Sequence, residues 1–266
     1  MSWTLIQGGA GRDGSLGVTP AELLNETIEA HGGRERWRRV GAIRAALSSG
    51  GLAFQSRCQP NALKNLKIEV RPHDIAVTLG DFVRRGWRGT WTPALAAIHD
   101  DRGQLVAQRR DPRSHFSGVV SQVYWDKLDI LTFAGYALWN YLSFPFLLER
   151  DDVELVGATP AAGDGNLRLD VRFGPGIPTH SRRQSFHIDP GRRLVRHDYT
   201  AEPIGSWATG ANLCLKSEVV GGVRFYTRRK VLPRLGPAMA VVPFPTLVWI
   251  EIDDLDVVEA ASASPA

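Results

Sequence analysis

The sequence predicts an α+β fold: a single large curled antiparallel sheet, an unclosed β-barrel, with helices covering its concave face. Two series of short apolar segments are divided by Gly, Pro and Asn at a spacing of about 8–12 residues, the mark of consecutive antiparallel strands. No strand–helix–strand alternation occurs, which excludes a parallel sheet. One ring-rich helical stretch stands between the two series and has to cover a face of a sheet that curls because sheets twist.

The elements follow in order. Residues 1–18 are Gly-rich and read as a flexible N-terminal arm, ahead of one domain over 19–258 and a polar tail over 259–266. Thr19-Pro20-Ala21-Glu22 is a helix start, with Thr as N-cap, Pro at the first helical position and Glu at the third. Leu23, Leu24, Thr27 and Ile28 give that helix an apolar face, and Gly32-Gly33 stops it. A short turn over Arg34–Arg39 carries Trp37. From Val40 the segments 41–49, 51–58, 65–72, 74–80 and 81–87 read as strands, and 96–99 with 105–108 as a hairpin. Residues 111–150 are helical. Strands resume at 153–157, 166–173, 183–188, 194–199, 212–219, 223–231 and 246–252. Glu251, Asp253, Asp254, Asp256 and Glu259 stand together without a base and read as a solvated chain end.

Composition narrows the function classes. With 43% hydrophobic and 23% charged residues over 266 positions, the chain is neither disordered nor collagenous nor a cysteine-rich secreted scaffold. Cys58 and Cys214 lie far apart outside any CxxC spacing and read as reduced thiols of a cytosolic protein. The net charge of +4 is carried largely by arginine. Its Arg-Arg doublets, placed on strands, point to opposite faces and make no one-sided basic stripe, so no nucleic acid is expected. The first residues lack the basic and apolar regions of a secretory signal, so the expected location is cytoplasmic. Ile130–Leu148 approaches spanning length, but Asn140, Ser143 and Pro145 interrupt it; it reads as buried or ligand-facing helix, not a membrane span.

Few motifs carry chemistry. Gly9–Gly14 matches GxGxxG, yet the helix start lies five residues beyond it, where a dinucleotide's pyrophosphate would not meet a helix N-terminus. The 7 histidines lack zinc-like pairing; His180, His187 and His197 make at most a weak metal candidate, and neither metal nor cofactor is expected. Phe133, Tyr136, Trp139, Tyr141, Phe144 and Phe146 line the central helices. Tyr136, Trp139 and Asn140 follow i, i+3, i+4 spacing, which suits core packing or the wall of an apolar pocket. In the hairpin 182–200, Asp189-Pro190-Gly191-Arg192 is turn chemistry. A loop of even length sets Gln184 opposite His197, Arg182 opposite Tyr199 and Arg183 opposite Asp198, with Phe186 on the His197 face. A loop of odd length sets Ser185 opposite His197. Either way His197 and Tyr199 share a face with an arginine. That set suits proton transfer beside an anion clamp, or a polar network within the sheet. His197 and Tyr199 are the catalytic candidates; Phe133, Tyr136, Trp139, Phe144, Phe186, Arg182 and Gln184 are the ligand-binding ones. The expected cavity is apolar and lies between the sheet and the helices of 112–150, with Asp198 facing solvent.

The stretch AHGGRERWRRVGAIRAALSSGG (Ala30–Gly51) resembles the start of the Lol-type lipoprotein-carrier (LolA/LolB-like) superfamily. There a helix ends in His-Gly-Gly, a Trp-bearing turn follows, and the first strand of a half-barrel begins. FAGYALWNYLSFPFLL, RHDY, TRRKVLPR and PTLVWIEIDDLDV are similar to uncharacterised actinobacterial members. The resemblance implies a half-barrel whose helix-lidded concave face holds acyl chains or other apolar molecules. A violacein-pathway enzyme is similar in fold, cytoplasmic and cofactor-free, which gives catalysis a precedent. Two functions are therefore expected: a cofactor-independent cyclase or isomerase acting on a hydrophobic secondary-metabolism intermediate, or a noncatalytic lipid or acyl-chain carrier. The partner in both is a hydrophobic small molecule or acyl chain, and the sequence leaves the oligomeric state open.

Overall fold

The computed structural model describes residues 17–118, 120–161 and 165–260. The Gly9–Gly14 motif and most of the predicted arm and tail lie outside these. Helix α1 (Pro20–Ala30) opens with the predicted cap. The Glu22 N–H donates to the Thr19 hydroxyl at 3.2 Å, and the Thr19 N–H donates to the Glu22 carboxylate at 2.7 Å. Gly32, in a left-handed conformation, ends the turn, and α2 (Gly33–Arg38) follows with Trp37 buried and stacked on Phe146 at 4.3 Å.

The first sheet half is β1 (Val40–Gly50), β2 (Leu66–Arg71), β3 (Ala76–Gly80), β4 (Arg88–Trp91), β5 (Leu95–His99) and β6 (Leu105–Arg110). The second is β7 (Val153–Pro160), β8 (Leu167–Phe173), β9 (Arg183–Ile188), β10 (Leu194–Thr200), β11 (Thr209–Val220) and β12 (Val223–Leu235), with β13 (Ala240–Val241) beside β12. Strand β14 (Val248–Glu259) joins the halves. The order β6-β5-β4-β3-β2-β1-β14-β12-β11-β10-β9-β8-β7 makes one 14-stranded antiparallel sheet that does not close.

Two predicted strands are absent. Residues 51–58 form a helical turn, α3 (Leu52–Gln55), because Gly51 sits at φ +128° pressed against the backbone of Leu247. The Leu52 and Ala53 N–H groups donate to the Thr246 and Leu247 carbonyls, and Phe54 is driven inward. Residues 81–87 form turns, since Asp81, Val83 and Gly86 all have positive φ, which no strand admits. The acidic run 251–259 is no solvated chain end but the second half of β14 in mid-sheet. Its Ile252 is buried, while Asp253 meets Arg228 at 2.7 Å on the outer side and Glu259 meets Arg36 of α2 at 2.8 Å at the strand's end.

The predicted helical stretch 111–150 arrives in pieces: short 3₁₀ turns at Pro112–Ser117, Val120–Gln122 and Phe146–Glu149 around one long helix, α4 (Lys127–Ser143). Asp126 and Asp129 form its capping box, and Arg109 of β6 clamps both carboxylates at 2.6 and 2.7 Å. Every residue from Leu128 to Ser143 is buried. The helix packs on β2 to β6 and on β12, inside the curl of the sheet. Among the described residues no helix is long and apolar enough to cross a membrane.

Gly135 sets how closely α4 approaches β4. A Cβ there would lie 2.5 Å from Cγ and Cδ2 of Trp91, a ring that is itself buried. Alanine favours helix over glycine by about 1 kcal/mol, but overpacking a closed core costs about 1–3 kcal/mol or more. Gly135→Ala is therefore expected to lower the urea-unfolding free energy, and an unchanged or raised midpoint would refute the contact's importance.

Candidate functional site

The hairpin of β9 and β10 takes neither expected register. Asp189–Arg193 form the loop and Leu194 pairs with Ile188; a bulge at Val195 then moves the pairing by one. Beyond it His197 lies opposite Phe186 and Asp198 opposite Ser185. The bulge restores the parity of the even-length loop, so Gln184, Phe186, His197 and Tyr199 face inward together. His197 Nε2 contacts Gln184 Oε1 at 2.5 Å, and Gln184 Nε2 donates to Thr179 Oγ1 at 2.6 Å and to the Ser181 carbonyl at 2.7 Å.

Asp198 does not pair with Arg183 and does not face open solvent. It lies on the outer face yet is only 3% exposed, held by Arg196 at 2.6 Å, His187 at 3.1 Å and Arg234 at 3.4 Å. Burial pushes its carboxyl up, but the hydrogen bonds from His187 and Arg196 and the charges of Arg196 and Arg234 outweigh that and hold it below the ordinary carboxylate value. With His187 committed to Asp198, the three histidines do not converge. No group of three or more His, Cys, Asp or Glu able to hold a metal occurs among the described residues.

His180, in the loop between β8 and β9, organises the interior. Tyr136 Oη meets its Nδ1 at 3.1 Å, Tyr141 Oη meets its Nε2 at 2.8 Å, and Tyr141 Oη meets Tyr199 Oη at 3.0 Å. The His180 ring also stacks on Tyr199 at 3.9 Å. Burial, helped by the charges of His197 and Arg113, lowers His180 well below the usual imidazole value. Burial also raises the hydroxyls of Tyr136, Tyr141 (to about 12) and Tyr199. The chain Tyr136–His180–Tyr141–Tyr199 is thus neutral at physiological pH. A neutral imidazole donates from one nitrogen and accepts at the other, so the chain has a direction.

Its two ends reach different cavities. Tyr136 lines a polar cavity of about 340 Å³ together with Arg113, Arg182, Asp111 and Glu202. Tyr199 lines an apolar cavity of about 150 Å³ at the end of the sheet, walled by α3, the 201–208 turn and facing parts of β11 and β12. Behind it a pocket of about 30 Å³, room for one water, shares Phe133, Tyr199 and Val248 with it and adds Tyr141. Leu52, Trp207 and Leu235 of the larger cavity are exposed, Trp207 at 70%. Among the described residues Arg57 is the one charged side chain lining it. Its guanidinium donates to the Ala53 and Ile204 carbonyls and Ser56 Oγ, lies 5.0 Å over the Trp125 ring, and has no carboxylate partner among the described residues.

Between sheet and α4, where the apolar cavity is expected, lies the pocket of about 30 Å³, and the larger apolar cavity opens at the sheet's end. Of the sequence-derived candidates, Phe133 and Tyr199 line the apolar cavity, and Tyr136 and Arg182 the polar one. The others line neither. Trp139 donates Nε1–H to the Pro72 carbonyl at 2.9 Å, Phe144 stacks on Phe186 at 5.1 Å, and Phe186 stacks on His197 at 4.2 Å. Gln184 and His197 are engaged with each other. His180, Tyr141 and Arg57 were missed as site residues. Tyr141 stands in the ring set at 133–146, but His180 and Arg57 sit in non-strand segments where no periodicity marks an inward side chain.

No family model matches the chain, and no curated protein matches it in sequence. Among solved structures, it is similar to a DUF1329 family protein from Desulfovibrio piger at 11% identity and a TM-score of 0.48, over 90% of this chain and 93% of that one. At that level no residue role passes from one chain to the other.

The buried histidines make stability pH-dependent. Burial lowers His31 to about 4 and His197 to about 3, and His180 falls well below its ordinary value. Unfolded histidines titrate near pH 6.5, so below about that pH the unfolded chain takes up protons that the folded chain refuses. Stability present above about pH 6.5 is lost as the pH falls toward the folded values. Urea unfolding at pH 7 and at pH 5.5 is expected to show a loss of about 1–4 kcal/mol per pH unit. Equal stability at the two would show that these rings are not held neutral.

Proposed function

We propose that this protein binds an apolar small molecule or acyl chain in the cavity at the sheet's end. The observation that carries the proposal is the cavity itself: apolar walls, an exposed Trp207 and Leu235, and an inner wall that includes Tyr199, whose hydroxyl meets that of Tyr141 at 3.0 Å. An apolar cavity of about 150 Å³ takes up a benzene-sized group. It therefore holds one end of a longer molecule, whose remainder lies over Leu52, Trp207 and Leu235. Arg57, uncompensated by any acid there, favours neutral or anionic molecules over cationic ones.

A carrier role follows from binding alone. One observation favours a second reading, a cofactor-independent enzyme: the chain of hydroxyl and imidazole groups ending at Tyr199 supplies a group able to meet a reacting oxygen. In that reading Tyr199 takes the role and His197, stacked on Phe186 away from both cavities, only supports the sheet. Incubating the ligand that co-purifies and recovering it for mass spectrometry separates the two, since a carrier returns it unchanged.

Titration with the fluorescent fatty acid cis-parinaric acid is expected to give saturable emission. Trp207→Ala, a change at an exposed side chain that leaves the melting temperature in place, is expected to weaken the affinity by about tenfold. Absence of saturable emission from the unaltered protein would remove the binding proposal.

A further inference from the structure

The hydrogen-bond chain behind the apolar cavity also determines which ligand end the cavity accepts. This inference rests on the binding proposal and sharpens its ligand class. His180 contacts only the Tyr136 and Tyr141 hydroxyls through its ring nitrogens, and Tyr199 Oη contacts only Tyr141 Oη, among the described residues. A neutral chain of this kind has two directions. In one, Tyr136 O–H donates to Nδ1, Nε2–H donates to Tyr141, and Tyr141 O–H donates to Tyr199. The Tyr199 proton is then left without a partner in the protein. In the other, every donor is reversed, and Tyr136 holds the free proton at the polar cavity.

Arg113 decides between them. Its guanidinium lies over the Tyr136 ring, 5.0 Å from the centroid, and donates from Nη2 to the His180 carbonyl at 3.4 Å. A guanidinium donates and never accepts, so its charge draws the Tyr136 lone pairs toward itself and turns the O–H toward Nδ1. Asp111 and Glu202 also line the polar cavity, but Glu202 is paired to Arg113 at 3.8 Å and acts on Tyr136 more weakly than the guanidinium does. At the other end Arg229 also lies over a ring, 4.6 Å from that of Tyr141, but its Nη2 donates to the Tyr141 carbonyl and its Nη1 to Cys214 Sγ, whereas Arg113 Nη1 has no other partner among the described residues. The chain does not need to carry a net charge. A tyrosinate or an imidazolium is opposed by burial at every member, whereas an oriented neutral chain is not.

We infer that Tyr199 is a fixed hydrogen-bond donor at the inner end of the apolar cavity, oriented through Tyr141 and His180 from Tyr136. The site then selects apolar molecules whose inner end is a hydrogen-bond acceptor, a ketone or ester carbonyl, over hydrocarbon ends of equal size. Tyr199 touches the ligand; Tyr141, His180 and Tyr136 are positioning residues.

Acetophenone and ethylbenzene, matched in size, test this by calorimetric titration of the full chain. The unaltered protein is expected to bind both. In Tyr199→Phe the ratio of acetophenone to ethylbenzene affinity is expected to fall by about tenfold, the loss of one buried hydrogen bond, while ethylbenzene binding stays in place and reports an intact cavity. Tyr136→Phe, which lines only the other cavity, is expected to lower the same ratio, because the chain is no longer oriented. The carbonyl stretch of bound acetophenone is expected to shift to lower frequency in the unaltered protein and to return in both variants. An unchanged ratio in Tyr199→Phe overturns the inference while leaving the binding proposal standing. A ratio lowered in Tyr199→Phe but not in Tyr136→Phe overturns the orienting chain. Binding of neither compound overturns both proposals.

Discussion

A helix buried on every side draws its polar groups onto partners inside the protein, and α4 imposes that demand on its surroundings for most of them, the Ser143 hydroxyl excepted. The solutions come from different parts of the chain. Arg109 and His115 approach Asp129, the Pro72 carbonyl takes the Trp139 indole, and the Pro178 carbonyl takes the Asn140 amide. The loop between β8 and β9 contributes both Pro178 and His180, so it is pinned to the helix at two points. Leaving one such group unpaired costs about 1–3 kcal/mol, comparable to a sizeable part of a domain's whole margin of stability. The tyrosine–histidine chain is one result of this demand, and both cavities lie where its ends emerge.

Much of the fold was legible because its signals are local. Thr19-Pro20-Ala21-Glu22 names its own helix start, and alternation with Gly and Asn punctuation names most strands. The misreadings also have local causes. Phe82 and Phe54 are apolar residues in short segments that look strand-like, but backbone at positive φ turns both segments aside. Around the site the sequence was less informative. Helical spacing groups Tyr136, Trp139 and Asn140 on one face, yet in a helix with no exposed side a shared face selects nothing. Tyr136 reaches His180 while Trp139 reaches Pro72. The bulge at Val195 combined an odd-length loop with the inward set expected of an even one, a cancellation no turn motif announces. His180 is brought inward only by the docking of its loop, a tertiary event without sequence period.

The joining strand has a consequence for how the molecule comes into being. The halves β1–β6 and β7–β12 make no pairing with each other except through β14, which binds β1 on one side and β12 on the other. Val40 finds its partner at Glu259. During synthesis, two partial sheets therefore wait with bare inner edges, each a template for a foreign strand, until residues 248–259 leave the ribosome. The acids of β14, which from composition alone read as a solvated end, give this joining segment a charge of one sign. Like charges set directly opposite one another oppose self-pairing, whereas Arg228 and Arg36 at the native position meet the acids with opposite charge. The keystone of the arch thus also carries charge that opposes pairing with its own copies.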